Sequence, residues 1–322
     1  MNLPAYGHNG RTGTTQPDRV EAVRSCFGLL RDRWKADDGH LSLPGLFRSA
    51  ESRRRNNLLS PKNGAALLLG LAAGILLLML RLEMQGSLPL SQPVSYHNFA
   101  DQRAMLAIPN FLNVASNLPF AVIGIWGMIF LFSQCDRAFL DPRERRPYFV
   151  LFTGLFLTAF GSAYYHLAPS NATLVWDRLP MSIMFAGFMA AVIAERIDVE
   201  FGIRVLPFLV LLTVASVLEW YYSEWRGHGD LRWYAAVQIY AVLLLLIAPI
   251  LRPKYTRNWD FMVVFALYGL TKIFETFDRR LYALGRVVSG HTLKHLAAAA
   301  AGYWILRMLQ NREPLCSEFI AH

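Results

Sequence analysis

Eight long apolar segments, separated by short polar stretches, follow a polar amino-terminal region. The apolar segments cover about residues 64–83, 109–133, 147–168, 173–195, 203–221, 232–251, 259–278 and 290–309, and each is near the roughly 20 residues that a helix needs to cross a bilayer. Because lipid cannot satisfy a bare backbone, each is predicted to be helical. The pattern therefore predicts an all-α, polytopic membrane helix bundle.

The polar ends of the chain are predicted to be cytoplasmic tails. Residues 1–62 contain scattered Arg, Asp, Gly and Pro and are expected to be flexible, and residues 311–322 form a short second tail. The three cysteines are far apart and lack the spacing of a disulfide framework or a thiolate metal site.

The charged residues support a membrane location. Only 17% of the residues are charged, against about 25% in soluble proteins. The net charge of +9 does not indicate a nucleic-acid partner, because Lys and Arg are concentrated between the apolar segments. Under the positive-inside rule both termini are cytoplasmic. The basic residues used for this orientation are Arg53, Arg54, Arg55, Lys62, Arg137, Arg143, Arg145, Arg146, Arg196, Arg204, Arg252, Lys254, Arg257, Arg307 and Arg312.

Polar residues inside membrane helices are costly and mark functional sites. In this orientation they lie at the outer ends of three segments. These residues are Ser162 and His166 in the third segment, Asp177 and Arg178 in the fourth, and His291 and His295 in the eighth. Residues distant in sequence are thus predicted to meet at one membrane depth.

The histidines have the spacing of metal ligands. His291 and His295 are four residues apart and share one helix face, which lets two imidazoles bind one ion. His166 supplies a third nitrogen. Three histidines with an open fourth position are typical of catalytic zinc, which activates water near neutral pH.

Two further residues are candidates for catalysis. Ser162 lies one helical turn before His166 and is predicted to stabilise an oxyanion, although it is also placed to bond to its own helix backbone. Asp177 is predicted to transfer protons. The alternatives for Asp177 are an ion pair with Arg178 and a hydrogen bond that orients a histidine.

The motifs GSAYYH, DRLPM and HTLKH resemble those of the alkaline ceramidases, which belong to a superfamily that includes the adiponectin-receptor group. The five matching positions are Ser162, His166, Asp177, His291 and His295. The segment NVASN, with Asn113, Ser116 and Asn117, also resembles a family motif. The resemblance covers about residues 95–310.

The resemblance implies a seven-helix hydrolase core at residues 95–310, with residues 63–84 as an extra transmembrane helix. It implies Zn²⁺ between the helices and cleavage of the N-acyl amide of ceramide or a related lipid, which releases fatty acid. An ester-cleaving lipid hydrolase, a receptor-like zinc protein of the same superfamily and a transporter remain alternatives.

The sequence departs from the family at two places. Arg178 stands where the ceramidases usually have Glu, which leaves the lipid headgroup open. The stretch before the first core helix does not reproduce the calcium site of the animal enzymes, so calcium is not assigned, and Asp101 is expected to pair with Arg103.

Other charged and aromatic groups have structural interpretations. Glu275 is expected to pair with Lys272 and Arg279, and Asp278 is a candidate for the cavity entrance. Histidines outside the three-residue set, including His97, are expected to be solvated. A bacterial inner membrane, with the zinc site toward the outer side, is the expected location, while an organelle membrane, the acyl length and the oligomeric state stay open.

Overall fold

A computed structural model describes residues 58–133 and 138–315. Over these residues the fold is all-α, with β-structure limited to isolated bridges. The helices in chain order are α1 (Pro61–Met84), α2 (Phe111–Ala115), α3 (Leu118–Ser133), α4 (Arg145–Leu167), α5 (Asn171–Arg196), α6 (Val199–Trp225), α7 (Arg232–Ile247), α8 (Asp260–Thr276), α9 (Asp278–Gly285) and α10 (Gly290–Asn311). Most of the predicted amino-terminal tail, all three cysteines and the last seven residues lie outside the described ranges.

Each of the eight predicted apolar segments coincides with a helix or, for the second, with the consecutive helices α2 and α3. Six of these helical spans are long and apolar enough to cross a membrane, and a multi-pass bundle is thereby confirmed. Helix α8 has 17 residues, and α10 carries several polar side chains in its first turns. The count of eight crossings therefore stays a prediction.

Several helices begin at a residue whose side chain caps the free backbone amides. Ser60 precedes Pro61 and accepts from the amide of Asn63, so that α1 starts with serine capping and proline at its first position. Ser170 and Thr173 form a reciprocal capping box at the start of α5. The short turn before α5 brings this helix back against α4.

Helix α5 lies at the centre of the bundle and α1 at its periphery. In their most apolar windows, 72% of α5 but only 6% of α1 is buried, although α1 has a mean hydropathy of 2.4. An apolar surface of this kind suits contact with lipid. Helix α1 packs beside α7, where the Tyr240 hydroxyl donates to the Leu68 carbonyl at 3.2 Å. The interpretation of α1 as an addition to a seven-helix core stays a prediction.

The end of the bundle opposite the histidines contains a buried ionic cluster. Arg312 pairs with Glu195, and Glu195 also accepts from the Tyr148 hydroxyl at 2.8 Å. Arg196 is buried against the ring of Phe261. Arg196 and Arg312, which were counted for the predicted orientation, are thus buried at this end of the bundle. Which compartment each end of the bundle faces stays a prediction.

Candidate metal centre

His166, His291 and His295 come together in the structure, as their spacing predicted. His166 lies in the last turn of α4, and the other two lie in the first turns of α10. Their side chains are almost fully buried, with exposed fractions of 1%, 4% and 5%. Nε2 of His166 lies 3.2 Å from Nε2 of His295 and 3.3 Å from Nε2 of His291.

The three imidazoles fit a single metal ion. One ring nitrogen from each histidine lies within 4.8 Å of the other two. Among the residues that the structure describes, these three therefore form a group that could hold a metal ion. Zinc–nitrogen bonds of about 2.0–2.1 Å in a tetrahedron would place neighbouring nitrogens about 3.3–3.4 Å apart. The two observed Nε2 separations, 3.2 Å and 3.3 Å, are close to this value. Three imidazoles in a buried cluster leave the nature of the ion open.

Ser116 orients one of these imidazoles. Its Oγ lies 2.7 Å from Nδ1 of His295 and 3.2 Å from the carbonyl oxygen of Asn113. A hydroxyl that donates to this carbonyl accepts from Nδ1–H of His295. The proton is then on Nδ1, and the lone pair on Nε2 of His295 is free for a metal. Ser116 belongs to the NVASN motif, but its contact with a histidine of a distant helix was not predicted.

The start of α10 is held by contacts that position His291. The Asp278 carboxylate accepts from the amide of His291 at 2.7 Å and from the amide of Ala100 at 2.9 Å. A Cβ on Gly290 would lie 2.2 Å from the carbonyl oxygen of Phe274, so only glycine permits this approach of α10 to α8. Asp278 is not among the cavity-lining residues, and its interpretation as part of the entrance is replaced by this supporting role.

An aromatic side chain covers the histidines. Phe99 has an exposed fraction of 3%. The centre of its ring lies 4.8 Å from the ring centre of His166 and 4.4 Å from that of His291. The sequence contained no signal for this contact, because Phe99 lies in an irregular loop. Its packing excludes water from one side of the cluster.

His97 is not the solvated histidine that its position in a loop suggested. Its Nδ1 lies 2.8 Å from the hydroxyl of Tyr165, and its Nε2 lies 2.8 Å from Oδ1 of Asn171. Nδ2 of Asn171 in turn donates to Glu224 at 2.9 Å. His97 therefore links the loop before α2 to α4 and α5 beside the histidine cluster.

A cavity of about 330 Å³ extends from the histidine cluster into the bundle. Ser162, Asp177 and His295 line its polar end, and the remainder is mostly apolar. Its apolar lining comes from several helices and includes Leu151, Leu155, Phe188, Leu245, Val264, Ala298, Ala301 and Ile305. Such a volume is at the low end of the range for small-molecule sites, and the apolar walls suit a hydrocarbon chain.

Helices α4 and α5 approach each other closely beside Ser162 and Asp177. A Cβ on Gly161 would lie 2.0 Å from the carbonyl oxygen of Trp176, a separation that a side chain cannot occupy. The neighbouring residues, Ser162 and Asp177, both line the cavity beside this contact. Asp177 is half-buried and forms no ion pair with Arg178, which excludes one interpretation of this carboxylate.

A second polar group lies on the cavity wall. Glu275 pairs with Lys294 at 2.5 Å and with Lys272 at 3.1 Å, and it accepts from the Tyr96 hydroxyl at 3.2 Å. The predicted pair with Lys272 is confirmed. The predicted pair with Arg279 was wrong, because Arg279 donates instead to the carbonyl of Asn98 at 3.2 Å.

The loop before α2 contains the predicted pair between Asp101 and Arg103. The two Asp101 oxygens accept from Nε and Nη2 of Arg103, each at 2.8 Å. The hydrogen bond from Arg103 holds the pKa of the Asp101 carboxyl below its usual value. The Asp101 carbonyl accepts from Nδ2 of Asn113 at 3.1 Å. This loop is thereby tied to α2, the helix that directly precedes Ser116.

The chain matches the model of a known protein family. The family model described as Ceramidase matches residues 100–258, which include Ser162, His166 and Asp177 but end before His291 and His295. A comparison with curated proteins finds no match. The family consists of hydrolases acting on amides, and its members are metal-dependent. The predicted resemblance to the ceramidase family is confirmed, since the family model matches residues 100–258 of the chain.

Proposed function

We propose that the protein is a zinc-dependent amidohydrolase that cleaves the N-acyl amide of ceramide or a related membrane lipid. The observation that carries the proposal is a buried cluster of three histidine Nε2 atoms, of which that of His295 belongs to a residue lining the cavity together with Ser162 and Asp177. Amide hydrolysis needs stabilisation of the carbonyl oxygen, a base for water and an acid for the leaving amine. The site contains a group for each of these tasks.

His166, His291 and His295 would hold the ion, in the tautomers that leave the Nε2 atoms unprotonated. A zinc ion bound there supplies a Lewis acid that polarises the amide carbonyl and activates water. Ser116 keeps the His295 ring in the required orientation through Nδ1. Phe99 limits access of bulk water to the cluster.

The proton transfers are assigned to Asp177. Its carboxylate takes a proton from the attacking water as the water oxygen bonds to the amide carbon. The Ser162 hydroxyl donates a hydrogen bond to the carbonyl oxygen as negative charge develops there. Asp177 then gives its proton to the amide nitrogen, the carbon–nitrogen bond breaks, and a fatty acid and a free amine are formed.

The apolar part of the cavity would hold the acyl chain. Its walls come from α4, α5, α7, α8 and α10, so the chain lies among helices while the amide lies at the polar end. Burial of a hydrocarbon chain is favourable by about 0.8 kcal/mol for each methylene group. This contribution binds the substrate, and the residues around the amide provide the chemistry.

The proposal is tested by lipid analysis of membranes incubated with the purified protein. We expect fatty acid and the matching amine to accumulate, to stop when zinc is chelated and to return when zinc is restored. The Asp177→Asn variant is expected to lose this release while it keeps its metal. Fatty acid release that is unaffected by chelation would contradict the proposal.

A further inference from the structure

Arg178 brings a buried positive charge to the wall of the cavity. Its side chain is buried, with an exposed fraction of 7%, and it lines the same cavity as Asp177. The guanidinium lies 4.1 Å from the ring centre of Trp220 and 4.9 Å from that of Tyr234. Nη2 donates to Oε1 of Gln92. Two aromatic rings and a neutral amide thus hold a full positive charge in place.

This positive charge has no carboxylate partner in the part of the chain that the structure describes. None of the ion pairs found there includes Arg178. Its Nη1 is fully buried and has no hydrogen-bond partner among those residues. A buried guanidinium nitrogen without a partner is costly, since such donors are almost always satisfied. The missing partner is therefore expected to come from a bound molecule.

The other charged groups of the cavity each have an oppositely charged partner or an assigned role, although two lysines share one carboxylate. Lys294 and Lys272 both pair with Glu275. Asp177 is left for proton transfer under the proposed function. Of the cations that line the cavity, Arg178 alone lacks an anionic partner among the described residues. The polar end of the cavity is thus complementary to a substrate with one negative charge.

We propose that Arg178 binds an anionic group of the lipid substrate close to the scissile amide. The inference rests on the proposed amidohydrolase function and specifies its substrate class as acyl amides with a carboxylate or a phosphate on the amine side. Arg178 follows Asp177 directly in α5, so the group it binds belongs near the amide and not at the far end of the acyl chain. The planar guanidinium suits either anion, because both accept paired hydrogen bonds.

The test uses two pairs of substrates in which only the charge differs. N-oleoylglycine and N-oleoylethanolamine compare a carboxylate with a hydroxyl, and ceramide 1-phosphate and ceramide compare a phosphate with a hydroxyl. For the wild-type protein we expect kcat/KM to be about tenfold or more higher for the anionic member of one pair. The pair that shows this preference identifies the anion as carboxylate or phosphate.

Variants separate recognition of charge from structural support. Arg178→Gln is expected to lower the anionic-to-neutral ratio of kcat/KM about tenfold or more, and Arg178→Lys is expected to preserve part of it. Arg226→Gln is the matched control, because Arg226 is exposed and stacks on Tyr222 outside the cavity. This control should leave the ratio unchanged.

The outcomes distinguish this inference from the proposed function. Equal or faster hydrolysis of the neutral member in both pairs by the wild-type protein would overturn the inference and leave the amidohydrolase function intact. If Arg178→Gln lowers kcat/KM equally for the anionic and the neutral substrate of a pair, Arg178 has a purely structural role. This result would also overturn the inference. Failure to hydrolyse any of the four amides would overturn both proposals. The wild-type comparison decides the question even if the variants do not fold.

Discussion

The Ser116 hydroxyl lies 2.7 Å from Nδ1 of His295, across the interface between the segment before α3 and α10. Ser116 itself is buried and also reaches the carbonyl oxygen of Asn113. The contact fixes the imidazole tautomer without using any atom that a metal needs. It connects the family-like NVASN segment to the histidine cluster, and it makes a small side chain outside the ligand set important for the metal.

Removing this hydroxyl should weaken metal binding. Ser116→Ala is expected to lower zinc affinity about 10- to 100-fold, because the His295 ring loses the partner that orients it. Affinity is measured by competition with a chromogenic chelator. Ser116→Thr keeps the hydroxyl and serves as the control. An affinity in Ser116→Ala equal to that of the wild type would contradict the role assigned to Ser116.

A methyl group at Gly161 should separate Ser162 from Asp177, the two side chains to which the proposal assigns catalysis. Gly161→Ala would force α4 away from the Trp176 carbonyl, at a cost of about 1–3 kcal/mol in stability. Ser162 would then move away from Asp177, and hydrolysis should fall further than stability alone requires. Gly269→Ala is the matched control, because a Cβ there has no neighbour within 4 Å. Full activity in folded Gly161→Ala protein would be evidence against this arrangement.

The cavity makes a prediction about acyl chain length. Ala298 lies on its apolar wall, and Ala298→Phe should fill part of the space that a long chain occupies. We expect hydrolysis of an oleoyl amide to fall on the order of tenfold relative to that of an octanoyl amide. Ala300→Phe is the control in the same helix, because Ala300 does not line the cavity. An unchanged ratio of the two rates would show that the acyl chain lies elsewhere.

The pair between Asp101 and Arg103 predicts a pH dependence of stability. Arg103 lowers the pKa of Asp101 in the folded protein, so the pair stabilises the fold above the unfolded pKa of about 4. This contribution is lost as the pH falls through the lower, folded pKa. Asp101→Asn should lower the stability at neutral pH and have progressively less effect in acid.

Thermal unfolding of the detergent-solubilised protein measures this effect. The difference in Tm between the wild type and Asp101→Asn should be largest near pH 7 and should shrink below pH 4. A difference that is constant over this range, or one that grows in acid, would contradict the role of the ionised carboxylate.

The sequence predicted the parts of the site that depend on spacing within one helix. His291 and His295 share a face by helical periodicity, and Ser162 with His166 follows the same rule. Their convergence was predictable from membrane depth, because polar residues of three segments lay at corresponding ends. The helices themselves were predictable because their apolar lengths match a bilayer.

Contacts between distant segments were not predictable in the same way. Glu275 has a partner on its own helix, Lys272, but a second one, Lys294, comes from α10 and displaces the expected Arg279. Phe99 and His97 lie in a loop whose path no periodic pattern determines. Arg196 ends α5, and its burial depends on packing against residues of other helices, such as Phe261.

The most direct test of the central claim measures zinc and amide hydrolysis in the same preparation. We expect purified wild-type protein to contain about one zinc ion per chain and to release fatty acid from an acyl amide lipid. His295→Ala should lose both zinc and hydrolysis, whereas Asp177→Asn should keep the zinc and lose only hydrolysis. Fatty acid release by zinc-free His295→Ala protein at the wild-type rate would contradict the claim that the three histidines form the catalytic metal centre.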